Sequence, residues 1–478
     1  MAGADLAAAR ARALALDAAD PLAGQRARFR LPTTPDGTPA VYLAGQSLGA
    51  QPVDAQAAVE AELEAWARFG VEGWFRSGDG WLEADGSIRD ATARLVGARP
   101  AEVATLNTLT VNLHLLLASF FRPAGRRTAI LIDAPTFPSD RYAVESQLRL
   151  HGLDPSTELV VVRPSEGASL LSTEELEAAI HAHRDRLAVV LLAGVNYATG
   201  QARDIGRLTA AAHRAGAVAA WDLAHSVGNV PLALHDADVD LAVWCTYKYL
   251  NGGPGALGQV FIHERHATEP EGPRLAGWWG VDARSRFRMG ERFDPGLGAE
   301  GWRVSTPPIL SLAPIRTSVA MFDEVGMAAL REKSVALTGY LERLLVAFAP
   351  EVEILTPHDP EGRGAQLSIR LPAAPVTLAA LEARGVIADF REPDIIRLAP
   401  VPFYNTFLDA WTAAEALVAL ACGLTKAALT PRRRGAEGTA PPGKRVAQAR
   451  RRLGMTSRPK ISMNSAWLRP TLWRWISS

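Results

Sequence analysis

The chain reads as an α/β protein, with a large domain on a mostly parallel sheet followed by a smaller α+β domain. Three observations predict this. Short runs rich in Val, Leu and Ala recur from about residue 41 to 310 without strict polar alternation, as in strands buried on both faces. Helical patterns stand between these runs, which is the βα repetition of a parallel sheet. Then Thr306-Pro307-Pro308 breaks the pattern, and the chain beyond it begins with a long helical stretch before returning to strands.

Taken in order, residues 1–40 are expected to form an N-terminal helix and arm, since MAGADLAAARARALALDAAD is Ala-rich and broken by Asp and Arg. Residues 41–310 form the large domain. Its strands are TAILIDAP (128–135), ELVVVRP (158–164), LAVVLLAG (187–194), AVAAWD (217–222) and LAVWC (241–245). Its helices include TEELEAAIHAHRDR (173–186) and IGRLTAAAHRAG (205–216). Residues 311–430 form the small domain, with strands AQLSIRLP and IIRLAP and a last helix DAWTAAEALVALACGL. Residues 431–478 form a basic tail, expected to be disordered. No internal repeat is present.

A chain of 478 residues with 48% hydrophobic and 21% charged content has the makeup of a soluble globular protein with a large core. Two cysteines, Cys245 and Cys422, build no disulfide framework, which fits a reducing compartment, and the expected location is the cytoplasm. No apolar run is long enough to span a bilayer, and the N-terminus does not read as a secretory signal. Net charge is zero but uneven: from Pro431 onward stand 12 of the 51 basic and one of the 51 acidic residues, leaving 39 and 50 in the rest. Such a tail could meet nucleic acid or a membrane surface; the blander readings are a disordered appendage or an out-of-frame extension, and nucleic-acid binding is not expected. No metal-ligand motif is assigned.

The chemistry concentrates in WDLAHSVGNVPLALHDADVDLAVWCTYKYLNGGPGALG (221–258). Asp222 ends one apolar run and His225 follows three residues later. A second run ends in Thr246-Tyr247-Lys248 and a Gly-rich segment. Lysine is rarely buried without a partner, so a lysine just after a buried strand suits a Schiff base. An upstream Asp at a strand end suits a protonated pyridine nitrogen. The ordered pair points to pyridoxal 5'-phosphate at the carboxyl ends of the strands. Alone, either residue reads as a surface Lys or a helix-capping Asp.

Eight blocks then bear a resemblance: YLAGQSLGAQP (42–52), LNTLTVNLHLLLASFFRP (106–123), FPSDRYAVESQLRLHGL (137–153), WDLAHSVGN (221–229), WCTYKYLNGGPG (244–255), GWWG (277–280), RVSTPPIL (303–310) and IRLAPVPFYNTF (396–407). From about Val41 to Thr425 the chain resembles kynureninase, a pyridoxal phosphate-dependent hydrolase of the aspartate-aminotransferase fold (fold type I). The resemblance implies hydrolysis of L-kynurenine or its 3-hydroxy form to L-alanine and an anthranilate, by a homodimer acting on a small amino-acid substrate. Pathways of tryptophan breakdown or NAD synthesis follow from the same resemblance.

It also implies roles. Residues matching Leu109 and Thr110 touch the cofactor phosphate; on its own, Thr110 before VNLHLLLASFF reads as an ordinary helix cap. Phe137 follows a strand and could stack on the pyridine ring, while Pro138, Ser139 and Asp140 complete a cofactor-binding turn; alone, such a tetrapeptide is a common turn. Asp222 pairs with the ring nitrogen, and His225 orients it or contacts the ring, with a structural His as the alternative. Tyr247 binds phosphate and helps move protons, or simply packs. Lys248 carries the cofactor. Trp278 and Thr306 match positions that close the phosphate site from a second subunit. Arg397 matches the residue that holds the substrate α-carboxylate, a task suited to its planar fork, although a lone strand Arg is more often an ion-pair or surface residue. Two departures bear on substrate preference: Thr306 where some members carry Asn, and Val71 near a position where some carry a ring-contacting His. The rivals are a cysteine desulfurase or selenocysteine lyase, which needs a reactive loop Cys, and an inactive binding paralogue.

Overall fold

The computed structural model describes residues 2–76, 80–267 and 272–429. Seven strands make the main sheet: β1 (Val103–Thr105), β2 (Ala129–Asp133), β3 (Leu159–Val162), β4 (Leu187–Ala193), β5 (Val218–Asp222), β6 (Leu241–Cys245) and β7 (Gly258–Ile262). Their spatial order is β1-β7-β6-β5-β4-β2-β3. From β6 to β3 all pairs are parallel, and β7 runs antiparallel to both neighbours.

The missing polar alternation has a direct cause. Leu131, Val190, Leu192, Ala219, Trp221, Ala242, Trp244 and Phe261 enter one core. Their strand neighbours Ile130, Ile132, Val189, Leu191, Ala220, Leu241, Val243 and Val260 enter the other. Side chains still alternate, but both faces are covered by helices, so both sets are apolar. The first core is closed by Leu176 and Ile180 of Thr173–Ala182 and by Leu208 and Ala212 of Ile205–Arg214. The second is closed by Leu113 and Leu117 of Leu109–Phe120 and by Val144 and Leu148 of Pro138–Leu150.

Two details differ from expectation. The helix expected over 173–186 ends at Ala182, because the next residues turn so that the Arg186 carbonyl can accept from the Thr128 and Ala129 N–H groups. Strand β7 escapes a hydropathy reading because it opens Gly258-Gln259. Gln259 is nonetheless fully buried, bonded to Thr92, Thr105 and Trp244.

A second, antiparallel sheet contains β8 (Glu353–Ile354), β9 (Leu367–Arg370), β10 (Asp389–Arg391) and β11 (Ile395–Leu398), in the order β8-β9-β11-β10. It shares a third core with the helices Met327–Phe348 and Phe407–Leu429. The N-terminal helix Ala2–Ala18 docks here: Tyr340 Oη donates to the Ala9 carbonyl (2.7 Å) and Trp411 Nε1 to the Leu6 carbonyl (3.0 Å). Asp17 caps the last helix from outside it, accepting from the N–H groups of Phe407 (2.6 Å) and Leu408 (3.0 Å). Val41–Tyr42 pairs in parallel with Val386–Ile387. Residues up to Thr425 form one compact unit. The basic tail over 431–478 lies outside the described residues, as does the side chain of Cys422. No described helix is long and apolar enough to cross a membrane.

Candidate active site

Parallel strands deliver their carboxyl ends to one edge of the sheet, and the expected residues gather there. Asp222 is the last residue of β5 and is 8% exposed. Its Oδ1 accepts the Ala224 N–H (2.8 Å), which turns the chain and orients the carboxylate. Lys248 follows β6 in the turn 246–250, and its Nζ lies 3.1 Å from His225 Nε2. The lysine must donate in this contact, so the ring proton sits on Nδ1, which is buried without a partner. Burial and the neighbouring Lys248 hold the His225 pKa well below the ordinary imidazole value, so the ring is neutral.

Asp140 stands in the first turn of the helix Pro138–Leu150 and is 3% exposed. It faces Asp222, and Oδ1 has no partner. Burial first, and the Asp222 charge second, push its carboxyl well above the usual range. Two buried carboxyl groups at one strand edge call for a cation. Thr110 Oγ1 and Ser139 Oγ join two helix starts at 2.6 Å. Thr110 is not the cap of its helix: Thr108 holds that position, and Leu109 and Thr110 are the first two helical residues. Phe137 is the N-cap residue of Pro138–Leu150, its ring 5.8 Å from Lys248 Nζ and edge-on to Tyr197 at 5.4 Å.

The Tyr247 ring packs against the core that holds Leu312 and Ile315 and lies 5.9 Å from Lys248 Nζ. Its hydroxyl pairs with Cys245, and burial pushes its pKa up. Cys245 is a free, buried cysteine whose thiol is also pushed up by burial. It lacks the low pKa and exposure of a reactive thiol.

Arg397 on β11 is fully buried. Nε and Nη2 grip Asp389 Oδ1 (2.9 and 2.7 Å), Nη1 donates to the Tyr197 carbonyl (2.7 Å) and Nη2 to Ser47 Oγ (2.8 Å). Ser47 in turn donates to Asp389. Tyr197 thus touches both Phe137 and Arg397. No local sequence pattern marks Ser47, Tyr197 or Asp389; only the position of Ser47 in the 42–52 block hints at it.

Trp278 and Thr306 are not brought to this group by any hydrogen bond or ring contact among the described residues. Trp278 is 43% exposed, donates to the Arg286 carbonyl (3.0 Å) and packs on Trp279 and Phe287. Thr306 is exposed just before the helix Ile309–Val325. Val71 is 74% exposed. Three residues on, Trp74 stacks edge-on to Trp81 (5.5 Å) and tilts against Trp279 (5.4 Å).

Solved structures share this architecture. A cysteine desulfurase of Escherichia coli superposes with a TM-score of 0.69 at 17% identity, covering 84% of this chain and 98% of its own. The cystine C-S lyase C-DES, as a mutant with glycine covalently linked to its PLP cofactor, gives 0.68 at 17% identity, covering 82% and 98%. At that identity they share the fold alone. Sequence relatives are much nearer. The Kynureninase C-terminal domain family matches residues 330–417. The kynureninase of Salinispora tropica is 52% identical over 411 residues, 84% of this chain and 95% of that protein. That of Xanthomonas euvesicatoria pv. vesicatoria is 52% identical over 417 residues, 86% and 98%. With half of all positions shared across nearly the full length of these relatives, the chain belongs to the kynureninase family.

Proposed function

We propose that the protein is a pyridoxal 5'-phosphate-dependent hydrolase. It cleaves the Cβ–Cγ bond of L-kynurenine, or of 3-hydroxy-L-kynurenine, to L-alanine and anthranilate or 3-hydroxyanthranilate. The observation that carries the reading is the meeting of Lys248, His225, Asp222 and Asp140 at the carboxyl edge of the sheet. The residues fit the cofactor. The paired carboxylates want a cation such as a pyridinium N–H, and the unpartnered Asp140 Oδ1 and His225 Nδ1 are buried polar atoms in need of ligands. Thr110, Ser139 and the free N–H groups of two helix starts suit a phosphate.

When bound, pyridoxal phosphate supplies a carbonyl that condenses with an amine and a ring that takes up the electrons left on the substrate α-carbon. Lys248 binds the cofactor and, once released, takes the α-proton. Neutral His225 accepts the lysine's hydrogen bond and so aims the Lys248 amine. Asp222 keeps the ring nitrogen protonated. Leu109, Thr110, Ser139, Trp278 and Thr306 hold the phosphate, and Phe137 with Pro138 shapes the ring slot. Tyr247, with its proton held tightly by burial, is a donor that can protonate the product carbon. Arg397 receives the substrate α-carboxylate.

The proposal includes a cytoplasmic homodimer. Exposed Trp278, Phe287 and Phe75 form an apolar patch suited to a second copy, which would carry Trp278 and Thr306 to the neighbour's phosphate site. The division into a 41–310 cofactor domain and a 311–430 small domain belongs to the same reading. Buried, high-pKa Cys245 speaks against desulfurase chemistry in this chain. The test is direct: purified protein with pyridoxal phosphate, given each substrate in turn, should form anthranilate or its 3-hydroxy form, and Lys248→Ala should abolish turnover. No product from either substrate would remove the reading.

A further inference from the structure

The other end of the sheet holds a second cluster of titratable side chains. Glu102 stands just before β1, His235 lies in the connection between β5 and β6, and His263 follows β7. Because β7 runs antiparallel to β6, with Ile262 paired to Leu241, His263 sits at the start of β6 rather than its end. The cluster is thus a full strand away from Lys248, about 15 Å at ~3.3 Å per residue. Among the described residues these three side chains bring one ligand atom each within 4.8 Å of one another.

The arrangement is a built one. Glu102 is fully buried. Its Oε2 accepts the Arg99 N–H (2.8 Å), and its Oε1 accepts the Glu264 N–H (2.9 Å) and His235 Nδ1 (2.9 Å). The carboxylate is therefore fixed in direction. His263 Nδ1 lies 3.8 Å from the same Oε1. The two imidazoles stack, centroids 4.8 Å apart and 17° from parallel, and present the same ring nitrogen to one oxygen. On the far side of His263, Nε2 faces Asp238 Oδ1 at 3.6 Å. A carboxylate behind the second nitrogen is the usual support of a metal-bound histidine.

We infer that Glu102, His235 and His263 form a binding site for a divalent transition-metal ion of the zinc type. Tetrahedral ligands at ~2.1 Å from one ion stand about 3.4 Å apart. The 2.9 and 3.8 Å separations from Glu102 bracket this value, and the two ring nitrogens, within 4.8 Å of each other, must close toward it. On binding, His235 Nδ1 turns from its bond to Glu102 Oε1 to the ion and offers it a lone pair. His263 Nδ1 exchanges the Arg265 N–H (3.2 Å) for the ion. Two imidazoles and one carboxylate select zinc, nickel or cobalt over magnesium or calcium. A site that joins β1, β7 and the 230–240 connection acts on stability rather than on the distant chemistry.

The test is a calorimetric titration of chelator-washed, cofactor-loaded enzyme with Zn²⁺ alone, without amino-acid substrate. One equivalent per chain should bind with a Kd of about 10 μM or tighter, and saturation should raise Tm by about 2–4 °C. The His235→Ala/His263→Ala double variant should lose both effects while keeping hydrolase activity, which also reports that it folds. Should the double variant fold poorly, His235→Gln alone should weaken binding at least about tenfold. Absence of an equivalent tighter than about 100 μM, or equal binding by the variants, overturns the assignment. Binding that is lost instead with the exposed His181 and His358 overturns it too.

Discussion

Replacing Arg397 by lysine tests the substrate grip in isolation. The guanidinium is fully buried and held by Asp389, Ser47 and Tyr197. Lysine keeps the charge that Asp389 needs, so it avoids the ~3–5 kcal/mol that stripping a buried partner costs, a loss expected of Arg397→Ala. What lysine cannot offer is the planar fork. A substrate carboxylate that displaced Ser47 from Nη2 and took two parallel bonds would keep one. A charged hydrogen bond contributes about 1.5–3 kcal/mol, which is roughly a 10–150-fold fall in kcat/KM. The fall should appear chiefly in KM, since the carboxylate does not change charge during the reaction. The assay is initial-rate kinetics on L-kynurenine, with Tm and cofactor absorbance as controls for folding. A variant within about threefold of the wild type in kcat/KM, with normal Tm, would place the substrate carboxylate elsewhere and refute the reasoning.

Asp140 and Asp222 should respond unequally. Asp140 is pushed up by burial and by Asp222, so Asp140→Asn, which is also neutral, should cost less than about tenfold in kcat. Asp222→Asn removes the ring's counter-charge and should cost about 10²–10³-fold; equal losses would contradict this division of roles. Arg203 pairs with Asp133 at 3.1 Å with both side chains almost wholly buried, so Arg203→Met should lower unfolding stability by about 3–5 kcal/mol, and adding Asp133→Leu should recover much of it. Chemical denaturation at pH 7 reads both. His213 has a raised pKa, chiefly from its bond to Asp240. Its contribution is fully present below the unfolded value of about 6.5 and is lost as pH rises through the higher folded value. Denaturation midpoints across that interval should fall in the wild type and fall less in His213→Asn; parallel curves would sink the idea.

Much of this was legible in the sequence, for local reasons. Asp222 and Lys248 each follow an apolar run, and a run buried on both faces ends at the edge where a parallel sheet binds ligands. The helix expected from Thr173 starts there in the structure, held by a reciprocal cap between Ser172 and Glu175. What could not be read depends on distance in space. Ser47 and Asp389 are 342 residues apart yet hydrogen-bonded, and neither stands in a local pattern that announces the other. Glu102, His235 and His263 likewise come from three separate segments. Strand β7 was hidden because Gln259 is polar, and its burial makes sense only once Thr92, Thr105 and Trp244 surround it. Thr110 was displaced from its expected cap by the neighbouring Thr108, a choice set by backbone angles.

The clasp between the first and last helices has a consequence for how the chain is made. Asp17 and the N–H groups it caps are 390 residues apart. At about 5–20 residues per second, synthesis leaves the N-terminal helix without its partner for roughly 20–80 s. During that time the main sheet can complete itself, since its strands all lie between Val103 and Ile262. The second layer cannot, because its core takes side chains from both ends of the compact unit. A nascent chain arrested before residue 407 should therefore carry an assembled sheet beside an unclosed layer, with Leu6, Ala9 and Ala13 still open to a chaperone.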